Sequence, residues 1–295
     1  MRRTKVLILG ASGMLGAAVF RSFVEDENCE LLATIRDKQA SRFFAPQQVA
    51  RLVTLDVLDD NSLVSILDRE RPDVVVNCVG LVKQLSSACD PLIALPINAL
   101  FPHRLVRLCS LVGARVIHIS TDCVFSGAKG NYTEEDPTDA QDLYGQSKLL
   151  GELSSYKNAV TLRTSIIGRE LSTSHSLVEW FFLQKRTAVG YTKAIFSGLP
   201  TCELAAIIRD VVMPRPELSG VYHVSAQPIS KFNLLRLIAK EYRKEISILE
   251  DSSVQIDRSL ISKKFTAVTG YRAPAWPELI RRMYEADVRH EAAHV

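Results

Sequence analysis

The chain has 295 residues, of which 47% are hydrophobic and 23% are charged, and its formal net charge is +3. This balance is typical of a globular protein with a large core, and so small a charge does not favour nucleic acid or a membrane surface as a partner. The six cysteines form no Cys-x-x-Cys pair and no metal-ligand spacing occurs, so we expect reduced thiols, a cytoplasmic protein and no metal site. The apolar run at the N-terminus is too short for a signal peptide or a membrane span.

A glycine-rich turn follows the first predicted strand. The apolar run Val6 to Leu9 predicts a strand buried on both faces of a parallel sheet, and a helix is predicted from about Met14 to Val24. Between them, glycines three residues apart permit a tight turn, close approach of a pyrophosphate and close packing of helix on strand. The helix N-terminus offers N–H groups and a partial positive charge to phosphates. The pattern therefore predicts a dinucleotide site at Gly10, Ser12, Gly13, Met14, Leu15 and Gly16.

A basic residue follows the second predicted strand, Leu31 to Ile35. Arg36 stands where the cofactor ribose is expected, and an arginine there accommodates the 2′-phosphate of NADP, whereas an acidic residue binds the 2′-hydroxyl of NAD. Asp37 comes next, so the signal is mixed. The basic first position favours NADPH, with NADH as the alternative.

Two more strands and a helix are predicted before the most informative stretch. Leu52 to Leu55 and Val74 to Cys78 predict the third and fourth strands, and Val79-Gly80 then passes beside the expected cofactor ribose. Ala94 to Leu111 predicts a helix. His103, His118 and His223 stand in apolar surroundings, which favours core or surface histidines over metal ligands.

A tyrosine and a lysine lie four residues apart after the fifth predicted strand, Arg115 to Ile119. On a helix Tyr144 and Lys148 share one face, and an ammonium nearby lowers the pKa of a phenol, so that the phenol can protonate a developing alkoxide. Ser120 and Thr121 follow the strand and can donate hydrogen bonds to the same oxygen. The pair alone is more typical of a solvated helix face. The preceding Ser120 to Asp122, the small residues between Tyr144 and Lys148, and the glycine-rich turn favour an active site.

Strands and helices alternate up to a strand at Asn158 to Thr164, which predicts an α/β fold with a doubly wound parallel sheet of the Rossmann type. Residues 1–165, with returning segments around 201–230, are interpreted as a dinucleotide-binding domain, and 166–295 mainly as a smaller α/β substrate lobe. The lobe is predicted to contain helices at 177–183, at 231–242 and after Pro274, a strand at 246–249, loops at 190–193 and 196–201, and a frayed tail from Ala286. A short strand at 221–224 is predicted to return to the sheet.

The sequence resembles the extended short-chain dehydrogenase/reductase superfamily and, within it, the dTDP-4-dehydrorhamnose reductases. It shares with them Ser-Thr-Asp-x-Val-Phe-x-Gly at Ser120 to Gly127, the acidic-Pro segment at Glu135 to Pro137, and Tyr-Gly-x-Ser-Lys-x-x-Gly-Glu at Tyr144 to Glu152. The resemblance covers nearly the whole chain and is weaker after about Thr173. It implies NADPH-dependent reduction of a 4-keto-6-deoxy sugar on a nucleoside diphosphate, in deoxysugar and polysaccharide biosynthesis, and it allows a homodimer.

The resemblance also implies roles for individual residues. Tyr144 would donate the proton, Lys148 would lower its pKa and bind the nicotinamide ribose, and Thr121 with Ser120 would hold the keto oxygen. Further cofactor contacts are implied at Asp56, Val57, Cys78, Val79, Gly80 and Asn98. Substrate contacts are implied at Lys83, Asp122, Cys123, Val124, Phe125, Lys193, Ser197 and Arg258.

Other activities stay open. The reductases usually have tyrosine where this chain has Cys123, which leaves the sugar undetermined. A 4-epimerase uses the same Tyr and Lys but retains its NAD. An epimerase-reductase with Cys123 as acid is conceivable, although the cysteine of GDP-fucose synthase falls one residue earlier, at Asp122. A 4,6-dehydratase would carry a glutamate after Thr-Asp, which this chain lacks. The non-enzymatic alternative is a dinucleotide-sensing subunit.

Overall fold

The computed structural model describes residues 2–81, 83 and 86–292. Its strands are β1 (Thr4–Leu9), β2 (Cys29–Ile35), β3 (Leu52–Thr54), β4 (Val74–Asn77), β5 (Arg115–Thr121), β6 (Ala159–Thr164), β7 (Ile166–Ile167), β8 (Thr187–Phe196), β9 (Leu199–Pro200), β10 (Gly220–His223), β11 (Ile229–Ser230) and β12 (Ser247–Asp257).

The α-helices are α1 (Met14–Val24), α2 (Pro46–Val49), α3 (Asp60–Glu70), α4 (Pro91–Ala94), α5 (Phe101–Leu111), α6 (Leu143–Leu150), α7 (Leu177–Leu183), α8 (Thr201–Ala206), α9 (Lys231–Glu241), α10 (Lys263–Thr269) and α11 (Trp276–Ala292). Two π-helical segments, Leu95–Leu100 and Ile207–Val212, follow α4 and α8. Short 3-10 helices lie at Lys38–Phe43, Ser86–Cys89 and Asp122–Val124.

The main sheet has seven strands in the order β10-β6-β5-β4-β1-β2-β3. β1 pairs in parallel with both β2 and β4, and the pairs β2–β3 and β4–β5 are parallel as well. The chain therefore winds outward from β1 to β3, reverses, and winds outward again from β4. This confirms the predicted doubly wound α/β fold and the return of the strand near residue 221 to the sheet. In such sheets ligands bind outside the carboxyl ends of the strands where the order reverses, here after β1 and β4.

The core beneath this sheet explains why its strands are continuously apolar. Leu7, Leu9, Val75 and Val116 are buried in one cluster with side chains of α3 and α5. The helical stretch Pro91–Leu111 is long and apolar enough to cross a membrane by length and composition alone. Its residues Phe101, Leu105, Val106 and Cys109 belong to the same buried cluster, so its apolar side packs into the protein interior.

The chain forms two compact units. The first comprises the chain up to Ser120 with Gln141–Leu162 and Ala205–Val221, and the second comprises Thr121–Ala140, Arg163–Leu204 and the chain from Tyr222. The predicted boundary at residue 165 did not foresee that residues 121–140 group with the second unit. The assignment of dinucleotide to the first unit and substrate to the second stays a prediction.

The second unit contains a sheet in the order β11-β8-β12 and a parallel pair, β7 and β9. The prediction of a loop at 190–193 was wrong, because these residues lie in β8. The loop predicted at 196–201 is confined to Ser197 and Gly198, because its other residues lie in β8, in β9 and at the start of α8. A Cβ atom on Gly190 would lie 2.9 Å from the Cα of Phe232 in α9. The glycine is therefore required by the close approach of a helix to a strand, not by a turn.

Two other elements are longer than the sequence suggested. β12 continues to Asp257, although several of its residues are polar and exposed, because pairing with β8 through the main chain needs no apolar side chains. The prediction of a frayed tail from Ala286 was wrong as far as Ala292, the end of α11. The Tyr242 hydroxyl donates to Asp287 Oδ2 at 2.5 Å. This hydrogen bond connects α11 to the C-terminal end of α9. Residues 293–295 of the predicted tail lie outside the described residues.

Candidate active site

The glycine-rich turn has the geometry that a pyrophosphate site needs. Gly10 adopts a φ of +85°, and its N–H donates to Thr34 Oγ1 at 3.2 Å. A Cβ on Gly16 would lie 2.0 Å from the Gly10 carbonyl oxygen, so only glycine allows α1 to approach the turn this closely. Gly13 precedes α1 without a side-chain cap, and a Cβ there would meet only Gly10 O, at 3.5 Å. The first N–H groups of α1 are thus left for another acceptor, and a dinucleotide phosphate fits them.

The other residues of this turn that were predicted to bind the cofactor differ in how deeply they are buried. Ser12 and Met14 are half-buried beside the exposed Gly13, so they can reach a ligand there. Leu15 is only 6% exposed and belongs to the core, which leaves its main-chain N–H as the group that can contact a phosphate.

The structure shows different surroundings for Arg36 and Asp37, whose roles toward a cofactor stay predictions. Arg36 directly follows β2 and is exposed. The Asp37 carboxylate caps the following 3-10 helix by accepting from Gln39 N–H at 2.9 Å. Because Asp37 already has this partner, Arg36 is the better placed of the two to meet a ribose substituent.

Residues after β3 and β4 lie where the sequence placed them, at the carboxyl ends of these strands. Asp56 is exposed and accepts from Leu58 N–H at 3.0 Å, whereas Val57 is a core residue. Cys78 and Val79 are half-buried and Gly80 is exposed. Their cofactor contacts stay predictions.

Asn98 connects the loop after β4 to the helix that carries Tyr144. Its Oδ1 accepts from Leu81 N–H at 3.0 Å, and its Nδ2 donates to Ser147 Oγ at 3.1 Å. Ser147 Oγ in turn donates to the Tyr144 carbonyl at 2.9 Å. Asn98 is 1% exposed, so it supports the backbone of the site. Direct contact with a cofactor would then fall to neighbouring residues.

Prolines explain the π-helical segment in which Asn98 lies. Pro102 has no N–H to donate to the Asn98 carbonyl, and Phe101 N–H instead bonds back to Pro96 O, five residues earlier. The Asn98 carbonyl therefore faces outward from its helix. A Cβ on Gly151 would lie 1.9 Å from this carbonyl oxygen, so the end of α6 packs directly against it.

Tyr144 and Lys148 lie one turn apart on α6, which begins at the cap of Asp142. Tyr144 is half-buried, and Lys148 is 5% exposed with its Nζ donating to Ile119 O at 2.7 Å. Burial lowers the pKa of Lys148 to about 8, against the raising effects of Glu152 and Cys78. A Cβ on Gly80 would lie 3.6 Å from Lys148 Nζ, so the predicted cofactor loop passes beside the ammonium.

The two hydroxyls that follow β5 have different partners. Ser120 is 4% exposed and donates to Glu152 Oε1 at 2.7 Å. Thr121 Oγ1 donates to Asp122 Oδ1 at 3.2 Å and accepts from Cys123 N–H at 3.1 Å. Both hydroxyl protons therefore have acceptors in the structure, and the prediction that Ser120 and Thr121 hold the keto oxygen stays a prediction.

Most of the predicted substrate residues of the second unit are interior. Val124 and Phe125 are fully buried, and Phe125 stacks on Tyr132 with ring centroids 4.2 Å apart. Arg258 Nε donates to the Phe125 carbonyl at 2.8 Å, and Ser197 Oγ accepts from Leu260 N–H at 2.9 Å. Of the remaining three, Lys193 is exposed, Cys123 half-buried and Asp122 buried. Contact with substrate by Val124 or Phe125 would have to use main-chain atoms, because their side chains form the interior.

Two contacts of the site were not foreseen from the sequence, although one of them involves Lys83, a predicted substrate residue. Lys83 forms an ion pair with Asp142, Nζ to Oδ2 at 2.6 Å, at the start of the helix carrying Tyr144. The polar loop after Phe125 is attached to the end of β12, since Tyr132 N–H donates to Ser259 O and Asn131 N–H to Ser259 Oγ, both at 2.8 Å. Glycine at 127 and 130, each with positive φ, was the available signal for such a close approach. Within the described ranges, no three His, Cys, Asp or Glu side chains are placed to bind a metal ion.

Known proteins similar to the chain extend over almost its full length. The family model described as RmlD substrate binding domain matches residues 4–288. Methionine adenosyltransferase 2 subunit beta from Mus musculus is 26% identical, covering 97% of this chain and 91% of that protein. Spore coat polysaccharide biosynthesis protein SpsK from Bacillus subtilis is 28% identical, covering 94% and 96%. The structure of dTDP-4-dehydrorhamnose reductase from Bacillus anthracis, solved in complex with NADP, superposes with a TM-score of 0.80 at 20% identity, covering 96% and 99%, and shows the same fold.

Proposed function

Since the chain belongs to the RmlD substrate binding domain family, we propose that it reduces the 4-keto group of a 6-deoxy sugar carried on a nucleoside diphosphate, using NADPH. The observation that carries this proposal is the buried Lys148 ammonium, one turn from Tyr144 and beside the backbone of Gly80. A cation in that place favours ionisation of the tyrosine and lies next to the loop predicted to meet the cofactor.

The chain's own residues would bind the cofactor and would protonate the sugar oxygen. NADPH, when bound, supplies the hydride. The turn at Gly10 and Gly13 with the uncapped start of α1 would hold its pyrophosphate, and Arg36 its 2′-phosphate. Tyr144 gives its hydroxyl proton to the sugar oxygen, and Lys148 stabilises the phenolate that remains. The Thr121 hydroxyl donates a hydrogen bond to the same oxygen.

A dinucleotide-binding subunit without turnover is the second candidate. It is favoured by the 26% identity to a methionine adenosyltransferase subunit, of which the match covers 91%. The proposed acid, its lysine and the threonine hydroxyl are all present in this chain, which favours the reductase.

The deciding experiment supplies purified protein with NADPH and 4-keto-6-deoxy sugars on dTDP, UDP and GDP. Absorbance at 340 nm follows the cofactor, NMR identifies the product, and Tyr144→Phe serves as the control. Consumption of NADPH with formation of a 4-hydroxy sugar supports the reductase. Cofactor binding without consumption over the whole panel supports the subunit, and conversion of sugar without net absorbance change identifies an epimerase.

A further inference from the structure

Glu152 has no role in the reaction described above, yet its carboxylate is buried among the groups that do. The residue is 8% exposed, and its Oε1 accepts from the Ser120 hydroxyl at 2.7 Å. It lies two residues beyond the end of α6, and it accepts from the Ser120 hydroxyl while Lys148 donates to the carbonyl of the adjacent residue, Ile119. The two side chains therefore contact neighbouring residues of β5. A buried carboxylate is costly unless hydrogen bonds or an opposite charge compensate it.

The backbone that carries Glu152 is held tightly. Gly151 N–H donates to the carbonyls of Ser147 and Lys148, and Glu152 N–H to that of Leu149 at 3.1 Å. A Cβ on Gly151 would lie 1.9 Å from the Asn98 carbonyl oxygen, so glycine there allows the chain to pass. The direction of the Glu152 side chain is thus set by the same contact that sets the end of α6.

The charges around Lys148 show what the carboxylate does. Four titratable groups belong to this part of the site: Cys78 after β4, His118 on β5, Tyr144 on α6 and Glu152 just beyond α6. Burial raises the pKa of the Cys78 thiol to about 12 and lowers that of His118 well below its usual value, so both are neutral at pH 7. His118 Nδ1 is within 3.0 Å of Asn77 Nδ2, which fits the neutral ring. Cys78 and His118 therefore add no charge beside the Lys148 ammonium, and Glu152 is the carboxyl group among these four residues.

We propose that Glu152 is a positioning residue that keeps Lys148 protonated at neutral pH and holds the Ser120 hydroxyl away from the substrate. Without this charge, the buried ammonium would lose its proton more readily, and Tyr144 would lose the cation that stabilises its phenolate. The consequence for turnover rests on the proposed function, but the effect on Lys148 does not.

The test measures the titration of Lys148 directly, by NMR of protein labelled with ¹³C at the lysine ε-carbons, with the signal assigned by Lys148→Arg. Glu152→Gln is expected to lower the Lys148 midpoint by about one pH unit, as an adjacent opposite charge typically shifts a pKa. Ser120→Ala keeps the charge and is expected to leave the midpoint near wild type. Glu285→Gln removes an exposed carboxylate paired with Arg281 on α11 and serves as the matched control. A midpoint that Glu152→Gln leaves unchanged would overturn the proposal.

A measurement on the wild type covers the case in which Glu152→Gln does not fold. The Lys148 signal is expected to show a second, acid inflection as Glu152 takes up a proton, and a Lys148 signal without one also overturns the proposal. With an active sugar substrate, the alkaline limb of kcat should move by the same amount as the Lys148 midpoint. Wild-type protein without turnover contradicts the proposed function, whereas the titration still decides the role of Glu152.

Discussion

At the scale of single residues, the proposed reaction depends on one buried cation and one half-buried phenol. Lys148 is held by the Ile119 carbonyl and is almost wholly removed from solvent, whereas Tyr144 lies at the surface of the same helix. A charge in a poorly solvated place acts more strongly on its neighbour than one in water. The two residues therefore make separate, measurable contributions.

Replacing Tyr144 by phenylalanine should remove the acid and leave the fold intact. We expect kcat to fall by roughly a hundred- to ten-thousand-fold, the usual worth of a positioned general acid, with the dissociation constant of NADPH close to that of wild type. Steady-state kinetics and fluorescence titration of the cofactor measure both. A variant within a few-fold of wild-type turnover would indicate another acid, with Cys123 the first candidate.

The burial of Lys148 predicts a pH dependence of stability. Burial lowers its pKa to about 8 in the folded protein, from 10.5 for an unperturbed lysine. Between these values the unfolded chain binds the proton that the folded protein has released, so folding stability rises with pH. Relative to Lys148→Met, which lacks the group, wild type should gain at most about 1.4 kcal/mol per pH unit across this window. Urea unfolding at pH 7.5 and 9.5 measures the free energy of unfolding of wild type and of Lys148→Met. If the two proteins differed by the same free energy at both pH values, the prediction would be contradicted.

Arg36 should discriminate between the two nicotinamide cofactors. A charge-assisted contact with the 2′-phosphate contributes about 1.5–3 kcal/mol, so Arg36→Ala should weaken NADPH by roughly 10- to 150-fold and leave NADH almost unaffected. Lys38→Ala, which removes an exposed cation from the same segment, is the matched control. Calorimetric titration of both cofactors decides the matter, because an equal loss for NADPH and NADH would show that Arg36 does not contact the phosphate.

At the scale of elements, the junction of β1 and α1 combines two demands on glycine. Gly16 is required for packing, since a Cβ there would lie 2.0 Å from Gly10 O, whereas at Gly13 the nearest atom would be 3.5 Å away. One glycine thus serves the fold and the other leaves room in front of the helix N-terminus.

Alanine substitutions should separate these demands. Gly16→Ala is expected to cost about 1–3 kcal/mol of stability through overpacking. Gly13→Ala is expected to change stability by less than about 0.5 kcal/mol while weakening NADPH binding, because its methyl group stands where the pyrophosphate must approach. Thermal unfolding and cofactor titration of both variants provide the comparison. Loss of stability in Gly13→Ala, or normal stability in Gly16→Ala, would contradict the structural account.

At the scale of the whole molecule, the use of the cofactor distinguishes the remaining activities. A reductase must exchange its cofactor at every turnover, whereas an epimerase must keep NAD through oxidation and re-reduction. We expect protein purified without added nucleotide to carry little dinucleotide, and roughly one NADPH to be oxidised per sugar reduced. Mass spectrometry of the denatured supernatant and absorbance at 340 nm measure these quantities. If stoichiometric NAD survived purification and the sugar were converted at constant absorbance, the activity would be that of an epimerase and not of a reductase.

The sequence by itself determined the doubly wound fold, the glycine-rich turn and the place of Tyr144 and Lys148 one turn apart on a helix. These depend on local patterns: apolar runs for buried strands, glycine where the backbone makes a tight turn, and helical spacing for side chains on one face. The bounds of α1, Met14–Val24, agree with the prediction because the turn before it is specified by residues within seven positions.

Only the tertiary structure decided which partner each polar group has. Ser120 donates to a carboxylate 32 residues away, and the Phe125 carbonyl accepts from an arginine 133 residues away. Gly190 lies in a strand because β8 pairs with β12, and α9 packs so closely against it that only glycine fits. A hydroxyl or a glycine has the same local preferences wherever it stands, and long-range packing selects among them. The hydrogen-bond partners of Ser120 and Asp37 therefore became visible only in the folded chain.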